Sequence, residues 1–253
     1  MVLLSEDRGA VRVLTLNRPE VRNALSTELF EALFAALADV GDSVRAVVLT
    51  GADPAFCAGV DLKQAQHLGM DYFARFDKMN CTNAVVALRQ PVIGAINGAT
   101  FTGGLELALA CDFLIASERA VFADTHARVG ILPGGGMTAR LPRLVGSGMA
   151  RRLSMTGEVV DAVRAERIGL VTEVVAHERL VARAVELAEQ ITEVPGPVMA
   201  GLKEIYRSGS AAVTGPALAA ERAVSAKSHV STEDLATRQR EVAERNKRQI
   251  GSS

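Results

Sequence analysis

Apolar and polar residues follow two different periods in the first part of the chain. Val11–Leu16 alternates with period two, which predicts a strand. After Ser26, whose hydroxyl suits a helix N-cap, apolar residues recur at helical spacing through TELFEALFAALADV, which predicts a helix. Val44–Thr50 and Pro91–Ile96 are almost wholly apolar, as expected of strands buried on both faces. The pattern therefore predicts strands that alternate with helices.

The middle of the chain continues this alternation less regularly. Residues 61–89 are mixed in pattern, and their second half is expected to be helical. NGATFTGG is predicted to be a glycine-rich turn, LELALACD a helix and Phe113–Ala116 a short buried strand. Residues 128–148 are expected to be mainly loop, because glycines occupy positions 134–136 at their centre.

The last part of the chain changes character after Val171–Val175. From near Glu178 onward it is rich in Ala, Glu and Arg at helical periodicity. Strands that alternate with helices and then give way to helices alone predict an α/β core with a helical C-terminal appendage. We place the core at residues 1–190 and the C-terminal helical segment at residues 191–253.

Composition and charge exclude several classes of function. The chain has 253 residues, of which 49% are hydrophobic and 23% charged, as in ordinary globular proteins. Its 28 basic and 29 acidic residues give a formal net charge of -1, which disfavours a non-specific nucleic-acid binder. Aromatic residues are only 4%, too few for a platform that stacks single-stranded bases. No apolar run approaches about 20 residues, so no membrane span is expected.

The cysteines and the first residues indicate the compartment. Cys57, Cys81 and Cys111 are unevenly spaced and form no CxxC pair. A sparse, odd set favours reduced thiols in the cytoplasm over a disulfide framework or a zinc site. The opening apolar run is broken at once by Ser5–Arg8, which is unlike a secretory signal. We therefore expect a cytoplasmic protein without a bound metal.

Two glycine-containing segments are candidates for chemistry. In NGATFTGGLE, glycines stand between a predicted strand and a helix, which leaves the Gly103 N–H open to a ligand atom. Glu106 follows in the first helical turn, where it either stabilises the helix dipole or acts as a general base. In FCAGVDLK the Val60 N–H is a second donor, and two such amides are what an oxyanion hole needs. Asp61 suits the N-cap of the next helix. Each signal alone is also typical of a structural turn.

Three further residues have both a functional and a structural interpretation. His126, in FADTHARVGILPGGG, is either a catalytic or a structural histidine, and a metal pair with Asp124 has no supporting cluster. Cys57 lies near the second segment, but no adjacent basic residue would activate it as a nucleophile. Lys203 either reaches a ligand phosphate or is an ordinary solvated lysine.

Four strings in order resemble one known family. They are NRPEVRNAL, VVLTGADPAFCAGVDLK, PVIGAINGATFTGGLELALACDFLIAS and VGILPGGG, within a region from about Val11 to about Tyr206. Each string alone is modest, but the order and spacing of all four resemble the enoyl-CoA hydratase/isomerase (crotonase) family. The resemblance implies a spiral of ββα units and a C-terminal helical segment used in trimerisation.

The resemblance also implies the ligand, the partners and the site. The expected ligand is an acyl-CoA substrate, with no separate cofactor, and the expected assembly is a homotrimer or a dimer of trimers. In this family two backbone N–H groups polarise the thioester carbonyl, and these positions match Val60 and Gly103. The proton-handling carboxylate matches Glu106. The backbone that contacts CoA matches four positions: Ala24, Ala58, Asp61 and Leu62.

One position departs from the family pattern. Typical hydratases have a second glutamate four residues before the glycine that is Gly130 here, and this chain has His126 instead. For hydration of a 2-enoyl thioester we expect Glu106 to activate the water. His126 then orients that water, supplies the Cα proton, or only packs. An isomerase and a non-catalytic acyl-CoA-binding protein remain the alternatives.

Overall fold

In this computed structural model, which describes residues 1–227 and 232–251, the strands form two sheets. The strands are β1 (Leu3–Arg8), β2 (Val11–Leu16), β3 (Ala46–Gly51), β4 (Ala55–Cys57), β5 (Val92–Ile96), β6 (Ala99–Phe101), β7 (Phe113–Ser117), β8 (Val121–Ala123), β9 (Val160–Asp161) and β10 (Glu173–Val175). The larger sheet has six strands in the order β1-β2-β3-β5-β7-β10, and the smaller has four in the order β4-β6-β8-β9. β1 and β9 pair antiparallel with their neighbours, and the other paired strands are parallel.

Helices connect and cover these strands. They are α1 (Thr27–Ala38), α2 (Leu62–Leu68), α3 (Met70–Lys78), α4 (Cys81–Ala87), α5 (Gly103–Ala108), α6 (His126–Val129), α7 (Met137–Val145), α8 (Ser147–Thr156), α9 (Ala162–Arg167), α10 (Leu180–Thr192), α11 (Gly196–Ser225) and α12 (Thr232–Ile250). Short 3₁₀ turns occur at Pro19–Val21 and His177–Arg179. No helix of the described residues is both long enough and apolar enough to cross a bilayer.

The inner strands of the larger sheet are buried on both faces, as their apolar sequences predict, whereas β1 at its edge is mostly exposed. Along β3, Val47 and Leu49 belong to the main hydrophobic core, which includes the buried face of α1. The alternate residues Ala46 and Val48 point to the opposite face, where α10 covers the sheet with Ala184 and other apolar side chains. Period-two alternation in a strand thus supplies both layers of the core.

A repeated ββα order links the two sheets. The sequences β3-β4-α2, β5-β6-α5 and β7-β8-α6 each place one strand in the larger sheet, the next in the smaller sheet, and then a helix. Because β4, β6 and β8 are parallel neighbours, their carboxyl ends lie at one edge of the smaller sheet. The residues that follow these three strands are therefore brought together.

The sequence prediction was correct for some elements and wrong for others. β2 occupies Val11–Leu16 as expected, and the Ser26 hydroxyl accepts a hydrogen bond from the Leu29 N–H at 3.2 Å at the start of α1. NGATFTGG was expected to be a turn but contains β6, whose 3 residues are too few to show an alternation. Residues 128–148 were expected to be mainly loop but contain α7. The helix was missed because the glycines before it and Pro142 inside it are both typical of loops.

The C-terminal helices pack on their own chain. The predicted boundary at residue 190 lies within α10, which covers the larger sheet. Beyond it, α11 packs against α7, and α12 packs against α2 and α6. Residues 228–231 and 252–253 of the predicted oligomerisation segment lie outside the described residues. The described part of that segment thus adjoins the helices that follow β4 and β8.

Candidate active site

Two backbone amides meet where β4 and β6 end. Leu25 N–H donates to the Gly59 carbonyl at 2.8 Å, and Asp61 N–H donates to the Leu25 carbonyl at 3.2 Å, so the Val60 N–H between them points away from this bridge. Gly103 is the first residue of α5, so its N–H has no acceptor within the helix. A methyl group built on Gly103 would lie 3.7 Å from the Val60 nitrogen. Within residues 1–227 and 232–251, neither amide donates a hydrogen bond, and both are available to one ligand oxygen.

The loops that carry Val60 and Gly103 approach so closely that a side chain does not fit at Gly59. Gly59 has φ +96°, and a methyl there would lie 2.9 Å from the Phe101 carbonyl oxygen and 2.5 Å from the Thr102 hydroxyl. Thr102, just before Gly103, has φ 48° and ψ -118°, a conformation that costs a non-glycine residue on the order of 1–3 kcal/mol. The hydrogen bond from its N–H to the Ala123 carbonyl at 3.0 Å helps to hold it there. The position of Gly103 is thus fixed by the neighbouring strands.

Glu106 is a buried carboxylate next to these amides. Glu106 is 3% exposed, and its Oε1 accepts hydrogen bonds from Gly135 N–H at 2.8 Å and Met137 N–H at 3.2 Å. Burial raises the pKa of Glu106, and this outweighs the opposing effects of His126 and the two backbone donors. A carboxylate with a raised pKa is a stronger base than an exposed glutamate, which suits proton transfer.

His126 faces Glu106 with one nitrogen fixed behind it. Its Nδ1 donates to Asp124 Oδ1 at 2.7 Å, so its Nε2 is the nitrogen that faces Glu106 Oε2, 3.7 Å away. Burial lowers the pKa of His126, but the nearby carboxylates, Glu106 foremost, more than offset this and raise it. The pKa of Asp124 is lowered, because its interaction with His126 outweighs its burial. The arrangement favours an imidazolium that can give a proton from Nε2.

Two cavities adjoin each other at Val60. One has a volume of about 570 Å³ and is lined by the four residues expected to contact CoA: Ala24, Ala58, Asp61 and Leu62. The other has a volume of about 370 Å³ and is lined by Gly103, Glu106 and His126, together with aromatic side chains of α3. Val60 and Ile131 border both cavities. The residues expected to contact CoA and the proposed reacting groups therefore line neighbouring cavities.

A model of the enoyl-CoA hydratase/isomerase family matches residues 6–250 of the chain. The chain belongs to the enoyl-CoA hydratase/isomerase family. It is 42% identical over 206 residues to a probable enoyl-CoA hydratase of Rhizobium meliloti (strain 1021), a match that covers 80% of this chain and 79% of that one. It is 37% identical over 227 residues to probable enoyl-CoA hydratase 1, peroxisomal, of Arabidopsis thaliana, covering 88% and 84%.

A solved structure agrees with this assignment. The crystal structure of enoyl-CoA hydratase from Mycobacterium smegmatis superposes with a TM-score of 0.81 at 48% identity, covering 90% of this chain and 97% of that one. The predicted family and the predicted fold class are thus confirmed. The use of the C-terminal segment in trimerisation stays a prediction, as do the individual roles of the site residues.

Some side chains of this member of the enoyl-CoA hydratase/isomerase family have structural partners. Asp61 Oδ1 accepts from Gln64 N–H at 3.2 Å and caps α2, as expected, while its Oδ2 pairs with Arg18 at 2.9 Å. Lys203 is not an ordinary solvated lysine, since its Nζ lies 2.8 Å from Asp112 Oδ2, and its contact with a CoA phosphate, in this or a neighbouring subunit, stays a prediction. Cys57 is fully buried, and burial raises the pKa of its thiol to about 12. Cys57 is therefore a poor nucleophile.

Sequence reasoning missed several residues that border the site. Lys63, Arg119 and Lys247 bring positive charge to the larger cavity, and Lys247 comes from α12, far along the chain. Glu221 of α11 reaches the glycine loop beside Glu106. Nothing in the sequence around Glu221 distinguishes it from the surface glutamates of an alanine-rich helix. Only the packing of α11 on α7 identifies it.

Proposed function

We propose that this chain adds water to a 2-enoyl-CoA thioester. The observation that supports this most directly is the pairing of Glu106 Oε2 with His126 Nε2 at 3.7 Å, beside the Val60 and Gly103 amides, which donate no hydrogen bond within the described residues. A hydratase needs a stabilised enolate oxygen, a base for water and an acid for Cα. These groups supply all three within one cavity.

The Val60 and Gly103 amides bind the thioester oxygen. When water adds to Cβ, electron density moves from the double bond onto this oxygen, and both N–H groups donate to it. Their hydrogen bonds are strongest when the negative charge is fully developed, so they lower the barrier more than they stabilise the substrate. Loss of one such donor typically slows an enzyme by about 100- to 1000-fold.

Glu106 and His126 share the transfer of protons. A water about 2.8 Å from both Glu106 Oε2 and His126 Nε2 is at hydrogen-bond distance from each. Glu106 takes a proton from this water as the water oxygen bonds to Cβ. His126 then protonates Cα of the enolate from Nε2 and recovers a proton from Glu106. Asp124 keeps the imidazole oriented throughout through its 2.7 Å hydrogen bond to Nδ1.

Isomerisation is the second candidate, since it needs only one base that moves a proton from Cα to Cγ. Glu106 is suited to that role, because it lines the cavity and its Oε1 is held by Gly135 and Met137 while its Oε2 faces His126. The description of the matching family names both activities. His126 at the position of a second acid favours hydration, because it adds a separate proton donor.

An absorbance assay of 2-enoyl-CoA hydration tests the proposal. We expect Glu106→Gln to lower kcat by about 1000-fold or more and His126→Ala by about 100-fold, in line with typical losses of a general base or acid. The matched controls Glu189→Gln and His67→Ala change exposed side chains and should retain full activity. Full activity of Glu106→Gln would contradict its role as the base. Faster consumption of a 3-enoyl-CoA would favour isomerase, and tight acyl-CoA binding without turnover at any chain length would favour a carrier.

We also propose that the protein is a cytoplasmic homotrimer or dimer of trimers, with CoA as part of its substrate and no separate cofactor. Exposed apolar residues along α11, among them Val198, Ile205, Tyr206 and Val213, support self-association. Light scattering should give a mass of three or six times 26.7 kDa; a monomer at micromolar concentration would contradict this. Cell fractionation tests the compartment, which a relative named as peroxisomal leaves open.

A further inference from the structure

Four consecutive backbone amides alternate between two buried carboxylates. Gly135 N–H and Met137 N–H donate to Glu106 Oε1 at 2.8 and 3.2 Å. Gly136 N–H donates to Glu221 Oε1 at 2.7 Å, and Thr138 N–H donates to Glu221 Oε2 at 2.8 Å. The Thr138 hydroxyl also donates to Glu221 Oε2. One short piece of backbone is thus held from opposite sides by a carboxylate of α5 and a carboxylate of α11.

This arrangement couples the position of Glu106 to that of Glu221. Along the backbone, the amides that donate to Glu221 alternate with those that donate to Glu106. The loop therefore cannot shift away from one carboxylate without moving relative to the other. Glu221 also stands at the N-terminus of α7, where it satisfies amides that have no helical acceptor. Because its residue is only 7% exposed, little solvent is available to replace these hydrogen bonds.

The charge of Glu221 also acts on the two proposed proton-transfer groups. It raises the pKa of Glu106 and that of His126. The other charged groups near it are Arg140, whose Nη1 donates to the Gly135 carbonyl oxygen, and Arg222, the next residue on α11. Arg140 interacts with both carboxylates. Because Glu221 raises the pKa of Glu106 and of His126, removal of its charge should lower both pKa values.

We propose that Glu221 is a positioning residue of the reaction, which holds the Gly135–Thr138 backbone against Glu106 and so fixes the orientation of the base. The proposal rests on the proposed function. It assigns a role in catalysis to a helix of the C-terminal segment that was expected to serve oligomerisation.

Kinetics of Glu221→Gln and Glu221→Asp test this role in the full-length protein. Glu221→Gln removes the charge and one acceptor, and we expect kcat to fall about 10- to 100-fold, while KM changes less than about threefold. Its pH profile should move to lower pH on both limbs. Glu221→Asp retains the charge at a shorter reach and should keep the wild-type pH profile with a lowered kcat. Glu204→Gln, on the exposed side of the same helix, is the matched control and should behave as wild type.

A second readout does not depend on turnover. The NMR titration of the His126 ring, identified by its loss in His126→Ala, should shift to lower pH in Glu221→Gln and stay unchanged in Glu204→Gln. If the wild type turns over no enoyl-CoA but the titration shifts, the proposed function fails while the coupling of Glu221 to the site stands. Unchanged kcat, pH profile and titration in a folded Glu221→Gln variant would overturn the inference.

Discussion

Gly135→Ala is the sharpest test of the geometry around Glu106. A methyl group at this position would lie 2.6 Å from Glu106 Oε2 and 2.9 Å from its Cδ. The backbone of Gly135 is not in the left-handed region, so alanine is compatible with its conformation and the methyl contact is the main perturbation. The change therefore acts on the position of the proposed base.

The size of the effect follows from these distances. Non-bonded carbon and oxygen atoms are comfortable at about 3.5 Å, so the carboxylate must move by roughly 0.9 Å or the loop must open by that amount. A displacement of about 1 Å in a reacting group costs about 100-fold in rate, or roughly 2.7 kcal/mol of barrier. Overpacking of this kind also lowers the free energy of unfolding by about 1–3 kcal/mol.

The assay compares kcat for 2-enoyl-CoA hydration with the midpoint of thermal unfolding. Gly134→Ala is the matched control in the same loop, because among the described residues a methyl there would meet only the Ser225 hydroxyl, at an ordinary 3.9 Å. We expect Gly134→Ala to retain nearly full kcat and Gly135→Ala to lose about two orders of magnitude while still folding. Equal activity of the two folded variants would refute the placement of Glu106 against Gly135.

Four other outcomes are expected. Asp124→Asn should lower kcat about 10- to 100-fold and lower the pKa of His126 in an NMR titration, because the 2.7 Å contact to Nδ1 loses its negative charge; an unchanged titration would contradict this. Gly59→Ala should unfold at a lower temperature and lose activity, since its φ is +96° and its methyl would lie 2.9 Å from a carbonyl oxygen; wild-type stability would count against the close loop contact. The acid limb of kcat/KM should have its midpoint above the ordinary glutamate pKa, because burial raises the pKa of Glu106 and protonation of the base on acidification abolishes its function. Cys57 should resist alkylation at pH 8 until denaturant is added, because burial raises its thiol pKa to about 12; rapid labelling of the native protein at this residue would disprove its burial.

Sequence patterns predicted those helices and strands whose signal comes from residues close to one another along the chain. The alternation of Val11–Leu16 and the cap at Ser26 each depend on neighbours a few residues away, and both were found where expected. The smaller sheet was missed because β4, β6 and β8 are too short for a period to appear. Their pairing with one another, rather than their own composition, makes them strands.

The site was predictable to the extent that motifs in order identify a family. Val60, Gly103, Glu106 and His126 were chosen from their strings, and the structure brings all four to one cavity. Glu221 was not found, because its partners Gly136 and Thr138 are more than 80 positions away and depend on how α11 packs. Long-range partners of this kind leave no periodic signal in the sequence.

The border that Val60 and Ile131 share between the two cavities has a consequence for substrate choice. One part of every acyl-CoA is identical, and the other varies in length and shape. If the CoA part is held up to the thioester, Cα and Cβ occupy the same position in the site for every acyl chain. Substitutions at Phe73 and Phe76, which line the cavity of the reacting groups, can then change which acyl groups are accepted without moving the point of attack. Substrate range and reaction chemistry are therefore free to evolve separately in this protein.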